Sequence, residues 1–181
     1  MRWTPPADNG GSAITGYLVR VLDSTGNQVG ALRPAAATAT SLAVTGLTNG
    51  ASYRFQVAAA NAAGTGPDSA PSAVVVPATV PGAPVIAPAA AGTAGGAVTA
   101  TANWNPPASD GGSAVTGYRV RALQMSPTGT VLATITSAVQ PGSARQLTMT
   151  LPAGNYRFTV QASNKAGRGP QSARSNRVAA Q

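Results

Sequence analysis

Two stretches of this chain are nearly identical: "WTPPADNGGSAITGYLVRV" begins at Trp3, and "WNPPASDGGSAVTGYRVRA" begins at Trp104. The two tryptophans are 101 residues apart, and the later tyrosines Tyr53 and Tyr156 are 103 apart, so the second copy has gained a net two residues. A period near 100 is much longer than the roughly 20–50 residues of solenoid repeats. It has the size of a small domain that occurs twice in tandem.

Within each copy, apolar and polar residues alternate. The segments "YRFQVAA", from Tyr53, and "YRFTVQA", from Tyr156, place Tyr, Phe and Val at every second position. This period of two predicts half-buried strands of an antiparallel sheet. Turn-forming pairs such as Asn49-Gly50 and Asp110-Gly111 follow at the expected intervals. The sequence therefore predicts an all-β protein.

The composition leaves little catalytic chemistry. None of the 181 residues is Cys, His or Glu, which removes thiolate zinc sites, disulfides and the commonest general base. The acidic residues are Asp8, Asp23, Asp68 and Asp110. Asp8 aligns with Ser109 and Asp110 aligns with Asn9, and an Asx turn tolerates this exchange whereas a metal or catalytic site does not. We predict no enzyme activity, no catalytic, cofactor-binding or metal-binding residue, and no cofactor.

Taken together, the ordered positions resemble the fibronectin type III module. In the first copy the pattern is carried by Trp3, Pro5, Pro6, Gly16, Tyr17, Val19, Leu47, Tyr53, Phe55, Val57, Asn61, Gly64 and Pro67. In the second copy it is carried by Trp104, Pro106, Pro107, Gly117, Tyr118, Val120, Leu151, Tyr156, Phe158, Val160, Asn164, Gly167 and Pro170. The resemblance implies two tandem Greek-key β-sandwiches, each with one sheet of strands A, B and E and another of C, C′, F and G. It also implies a core role for Trp104 and tyrosine-corner roles for Tyr53 and Tyr156.

The predicted domains are residues 1–77 and 85–181, joined by a Pro-rich linker at 78–84. The Ala- and Gly-rich stretch 87–97 predicts a weak edge strand and a loop.

Before its tryptophan, the first copy has only two residues, so strand A and most of strand B are missing from it. We expect this gap to expose the inner side chains Tyr17, Val19, Phe55 and Val57. Preceding residues, other domains or another subunit would then complete the domain. Strand donation repeated head to tail would build a filament.

The basic residues predict a second kind of partner, which carries negative charge. The net charge is +8, and all but one of the 12 basic residues are Arg. Alternation places five arginines on outward faces of strands C and F: Arg20, Arg54, Arg119, Arg121 and Arg157. They are a candidate site for an anionic polysaccharide, the alternative being a solvated face. No exposed aromatic residue interleaves with them, so we expect no specific nucleic-acid binding. No apolar run approaches the roughly 20 residues of a membrane span, so we expect no membrane insertion.

The Ala- and Arg-rich composition is similar to that of modules in secreted bacterial enzymes and surface proteins. The leading prediction is a non-catalytic structural or spacer protein of a bacterial extracellular or cell-surface assembly. Two alternatives remain open. One is a binding module for anionic polysaccharide, and the other is an accessory region of a secreted glycoside hydrolase.

Overall fold

The computed structural model describes residues 1–93 and 97–180, and those residues form strands and no helix. The chain divides into two compact units, Met1–Pro77 and Ala78–Gln181. The prediction of an all-β protein with two tandem fibronectin-like domains is confirmed. The predicted edge strand and loop at 87–97 correspond in part to a strand, while residues 94–96 lie outside the described residues.

The first unit contains a single sheet within the described residues. Its strands are β1 Gly16–Leu22, β2 Arg33–Ala36, β3 Arg54–Asn61 and β4 Gly64–Thr65. They lie in the order β2-β1-β3-β4, which corresponds to strands C′, C, F and G. On the opposite side of the core, the backbone pairing is an isolated bridge between Arg2 and Ser41. Three hydrogen bonds join these segments: Trp3 N–H donates to the Thr40 carbonyl, Leu42 N–H donates to the Met1 carbonyl, and the Met1 amino group donates to the Leu42 carbonyl. The residues that correspond to strands B and E therefore pair only over residues 1–3 and 40–42 within the described part of the chain.

In the second unit, two sheets enclose the core. Its strands are β5 Val85–Ala91, β6 Thr99–Asn105, β7 Gly117–Met125, β8 Val131–Thr136, β9 Gln140–Pro141, β10 Gln146–Thr150, β11 Gly154–Asn164, β12 Gly167–Gln171 and β13 Val178–Ala180. One sheet has the order β10-β6-β5, which corresponds to strands E, B and A. The other has the order β12-β11-β7-β8, with β13 beside β11 and β9 beside β7.

Aromatic residues fill the second core as the sequence pattern predicts. Trp104, Tyr118, Tyr156 and Phe158 are all at most 2% exposed. The Trp104 and Tyr118 rings lie 5.5 Å apart between centroids. The Tyr156 hydroxyl donates to the carbonyl of Pro152 at 2.9 Å, which is the local bond expected of a tyrosine corner. Burial raises the pKa of the Tyr156 hydroxyl.

The expected exposure of the inner side chains of the first unit is wrong for three of the four residues. Tyr17 is 3% exposed, Val19 0% and Phe55 6%, and Val57 is half-buried. The reason is that residues outside the sheet cover part of its inner face. The Trp3 ring packs 5.3 Å from Tyr17. The partly buried residues Met1, Val29, Val44, Leu47 and Ala51 pack around Val21, Tyr53 and Phe55.

Strand C is two residues longer at its end in the second copy than in the first. Strand β7 has 9 residues, and its counterpart β1 has 7. The hairpin turns that follow are alike: Asp23 N–H donates to Asn27 O, and Ser126 N–H donates to Thr130 O, both at 2.9 Å. The difference in length therefore lies in the strand and leaves the turn unchanged.

Segment 78–84, predicted as a linker, is held against the second unit. Thr79 N–H donates to the Gly111 carbonyl and Gly82 N–H donates to the Ser109 carbonyl, each at 2.9 Å. The Pro81 side chain is fully buried. The division between the two units falls at Pro77, so these residues belong to the packing of the second unit.

Candidate binding surfaces

Strand register places the arginines of the second unit on one face. Arg121 pairs with Thr159 and Arg119 with Gln161 across β7 and β11. Arg157 precedes Thr159 by two positions, so it lies diagonally across from Arg121 on the same face. The structure therefore brings Arg119, Arg121 and Arg157 together, opposite the buried Val120 side.

These three guanidinium groups have different surroundings. Arg121 is exposed, and Arg157 is half-buried and donates to the Ser175 carbonyl at 3.2 Å. The Nε atom of Arg119 is buried and has no hydrogen-bond partner among the described residues. On this face the exposed guanidinium of Arg121 is the group that a carboxylate, sulfate or phosphate can reach directly.

In the first unit the equivalent charges are fewer and partly neutralised. Arg20 donates from Nε to the Asp68 carboxylate at 3.1 Å, and it also bonds the Gln28 side chain. Arg54 is exposed on the adjacent strand. Gln171 stands where the second unit would need an acid equivalent to Asp68, so this ion pair is specific to the first unit.

Other arginines have structural contacts that the sequence did not reveal. The Arg145 guanidinium lies 5.7 Å from the centroid of the Tyr118 ring and donates to two backbone carbonyls. Burial raises the pKa of Tyr118, and the charge of Arg145 opposes that rise. Arg177 donates to the Ser126 carbonyl at 3.1 Å. These residues belong to the fold and not to a free basic surface.

Apart from Asp68, which pairs with Arg20, the aspartates serve turns. Asp8 accepts from Gly10 N–H and Asp110 from Gly112 N–H, each at 2.8 Å. Asp23 accepts from Thr25 and Asn27, and these hydrogen bonds hold the pKa of its carboxyl below the ordinary value. Among residues 1–93 and 97–180, no group of three or more His, Cys, Asp or Glu side chains could hold a metal. In the same ranges, no helix is long and apolar enough to cross a membrane.

The first unit carries an apolar cavity of about 450 Å³ where the second unit has strands β5 and β6. We call this cavity the strand groove. Its lining includes Met1, Val44, Leu47, Phe55 and Val75. In the second unit the equivalent of Val44 is Met149, whose backbone pairs with Ala100 of β6.

A second cavity of the first unit, of about 660 Å³, lies between the loop at residues 8–10 and the turn at residues 61–67. We call it the loop cleft. Its walls include the Trp3 and Tyr17 rings and the Asn61 side chain. The repeated loop sequences "NAAGTGP" from Asn61 and "NKAGRGP" from Asn164 were visible in the sequence. They did not identify the cleft, because the segment that fills its counterpart lies 85 residues before Asn164.

The two sheets of the second unit, packed with this strand order, define a module of the Greek-key β-sandwich class, and the first unit repeats one of these sheets. The fibronectin type III domain family matches residues 1–75 and 90–178. The chain belongs to the fibronectin type III family.

Curated relatives agree with the family assignment. The chain is 36% identical over 173 residues to fibronectin type-III domain-containing protein 3a of Gallus gallus, covering 94% of this chain and 14% of the relative. It is 32% identical over 170 residues to fibronectin type-III domain-containing protein 3A of Homo sapiens, covering 93% and 13%. The chain thus spans about one seventh of these relatives. Both are vertebrate proteins, so they do not support the expected bacterial origin.

Among solved structures, a crystal structure of titin domains is similar at a TM-score of 0.52 and 19% identity. The match covers 91% of this chain and 54% of the titin chain. Likeness at this level of identity concerns the fold alone.

Proposed function

We propose that this chain is a non-catalytic structural spacer whose first unit is completed by a β-strand from a neighbouring domain or subunit. The observation that carries the proposal is the strand groove. In the second unit, Met149 pairs with Ala100, and both Ala100 and Ala102 are 0% exposed between the sheets. In the first unit, Val44 takes the place of Met149 beside a cavity of about 450 Å³.

Strand addition fits this groove on two physical grounds. Backbone pairing with the first residues ends at Leu42, which is bonded to Met1. The strand edge that continues from Ala43 is a template for pairing with an added strand. An added strand would also cover apolar surface, since Val75, which lines the groove beside Met1, Val44 and Leu47, is 45% exposed. Covering several such side chains contributes about 1.5–3 kcal/mol each.

The proposed setting is a secreted or cell-surface assembly, which head-to-tail strand donation would extend into a filament. A bacterial origin stays a prediction.

The decisive experiment supplies the missing strands in the same chain. A copy of residues 78–101 is fused ahead of Met1, so that its last strand continues into the tryptophan segment. We expect the free energy of unfolding of the first unit to rise by about 3 kcal/mol or more, measured by native-state hydrogen exchange of the β1 and β3 amides. The matched control carries Ala89→Asp and Ala100→Asp within the added copy, since both side chains face the core in the second unit.

The same fusion tests donation between chains. If unfused chains associate by strand donation, sedimentation velocity should show association that the fusion abolishes and its Asp control does not. Equal protection of the first unit with and without the added strands would contradict the proposal.

A second candidate function is binding of an anionic polysaccharide, supported by the exposed guanidinium of Arg121 and by the position of Arg119 and Arg157 on the same face. Retention on a sulfated polysaccharide column should fall steeply as salt rises, because the contacts are between screened charges. The triple variant Arg119→Ser, Arg121→Ser and Arg157→Ser should lose retention. The charge-matched control replaces Arg2, Lys165 and Arg174 with Ser, since these residues are exposed and belong to none of the strands of this face. Equal loss of retention in both variants would mean that retention depends on net charge and not on this face.

The third possibility, an accessory role beside a glycoside hydrolase, depends on a catalytic domain elsewhere in a parent protein. It stays a prediction.

A further inference from the structure

The loop cleft of the first unit has a filled counterpart in the second unit. There, the extended segment from Thr79 to Gly82 lies between the two matching loops. Its Thr79 N–H donates to the Gly111 carbonyl and its Gly82 N–H to the Ser109 carbonyl, each at 2.9 Å. The Asn164 side chain donates from Nδ2 to the Thr79 carbonyl at 2.8 Å. The loops of the second unit therefore bind a peptide segment through three hydrogen bonds.

Two glycines of the second unit make room for this segment. A Cβ atom at Gly169 would lie 2.1 Å from the Pro81 carbonyl oxygen, and one at Gly111 would lie 2.2 Å from that of Thr79. Real Cβ atoms do not approach other atoms so closely, so any larger residue at either position would expel the segment. The buried Pro81 side chain completes the contact.

The first unit keeps the same binding groups. Asn61 corresponds to Asn164, and its Nδ2 donates to the Asn9 carbonyl at 2.7 Å, as Asn164 donates to Asp110. Its Oδ1 accepts from Ala63 N–H at 2.9 Å, which holds the amide in the orientation seen for Asn164. Two donations of Asn164 have no equivalent at Asn61: the one to the Thr79 carbonyl of the docked segment and the longer one to the Ser113 carbonyl.

In the first unit, the space of the segment is open. Gly10 is exposed, whereas its counterpart Gly111 is buried beneath Thr79. A Cβ at Gly66, the counterpart of Gly169, would meet the Ala59 carbonyl at 3.5 Å, an ordinary contact. The fold of the first unit thus tolerates alanine at position 66, while a docked segment requires glycine there. The volume of about 660 Å³ lies within the range of peptide and small-ligand sites.

We propose that the loop cleft of the first unit is a docking site for an extended partner-chain segment with the chemistry of Thr79–Gly82: a β-branched pair followed by proline and glycine. The occupant is identified by the filled copy of the site, because the same donor, acceptors and glycines already bind that chemistry in the second unit. In the second unit this segment continues into β5, so one added chain can fill both the loop cleft and the strand groove. The two cavities have different lining residues, and a peptide limited to residues 78–84 tests the loop cleft without supplying a strand to the groove.

The test uses the whole protein and a blocked synthetic peptide, Ala-Thr-Val-Pro-Gly-Ala-Pro, which copies residues 78–84. Titration of the isotope-labelled protein should shift the amide signals of Gly10, Gly64 and Gly66 and the side-chain amide of Asn61 in a saturable way. The variant Gly66→Ala should abolish these shifts and leave the melting temperature unchanged. The control variant Ser24→Ala, in an exposed turn of the same unit, should bind like the parent.

A peptide variant separates binding from any effect of Gly66→Ala on folding. In the second unit Thr79 N–H donates to the Gly111 carbonyl, and the peptide should make the same bond to the Gly10 carbonyl of the first unit. Thr79→Pro in the peptide removes this N–H and should weaken binding to the unaltered protein by about 3- to 10-fold, the worth of one hydrogen bond. Absence of shifts at millimolar peptide, or shifts that Gly66→Ala leaves intact, would overturn the proposal. Self-association that disappears in Gly66→Ala without any peptide would overturn the partner-chain assignment in favour of a second copy.

Discussion

Phe55 and Phe158 occupy the same position in the two units, yet their surroundings differ. Phe158 is 0% exposed within a core cluster of 14 buried side chains in the described residues. Phe55 belongs to a cluster of three and lines the strand groove. The sheet that holds each phenylalanine is the same, so the difference comes from the sheet that faces it. The first unit thus shows how far one sheet and its loops bury this phenylalanine, and the second unit shows the additional burial provided by the facing sheet.

The largest test of this comparison truncates both phenylalanines. Phe158→Ala should lower the free energy of unfolding of the second unit by about 3–5 kcal/mol, because the surrounding core cannot collapse fully into the space left. Phe55→Ala should lower that of the first unit by about half as much, because one wall of its site is already open. Hydrogen exchange of β3 and β11 amides reports the units separately. Equal losses would show that the first core is as closed as the second.

A smaller difference is expected for the equivalent asparagines. Asn164 donates to three carbonyls, those of Thr79, Asp110 and Ser113. Asn164→Ala should therefore cost about 2–4 kcal/mol, since several buried groups lose partners. Asn61→Ala should cost about 1 kcal/mol, because Asn61 donates to a single exposed carbonyl. Thermal unfolding of each variant provides the measurement, and a reversed order would break the correspondence between the two loops.

Loss of the Arg20–Asp68 ion pair should lower the free energy of unfolding of the first unit by no more than the Asn61→Ala substitution does. Arg20 and Asp68 have side chains 32% and 31% exposed, and exposed pairs contribute about 0.2–1 kcal/mol. Asp68→Asn should therefore lower stability by no more than that, and the loss should shrink at high salt. Denaturant unfolding at low and high salt tests this. A loss that is insensitive to salt would mean that Asp68 acts through another contact.

The smallest effect concerns pH and the two matching turns. Thr25 and Asn27 donate to Asp23 and hold the pKa of its carboxyl below the ordinary 3.8. Because the folded pKa is lower than the unfolded one, this contribution is present above the unfolded pKa and is lost as pH falls through the folded pKa. The second unit has Ser126 at this position, which cannot titrate.

An NMR titration of the Asp23 carboxyl should give a midpoint below 3.8. Asp23→Ser should remove this pH dependence while keeping the turn, as Ser126 does. A midpoint at or above the ordinary value would contradict the hydrogen bonding described for the turn.

Local regularities of the sequence were enough to predict the module and its inner and outer faces. A period of two assigns each strand residue to a face, and β1 and β7 follow that assignment, with Val19 and Val120 fully buried. The arginine face follows for the same reason. Comparison of the two copies also predicted that strands A and B are not formed by residues 1–77 as they are in the second unit, and the described residues of the first unit form a single sheet.

Tertiary structure decided what lies against those faces. Trp3 and the partly buried residues around Phe55 cover side chains that the strand pattern alone would leave exposed. Asp68 pairs with Arg20, which precedes it by 48 residues, and Thr79 meets Asn164 across 85. Alternation along a strand is set by the geometry of neighbouring residues, which is why the sequence by itself determines it. Contacts between distant segments depend on which surfaces remain uncovered after the strands pair, and that depends on the whole chain.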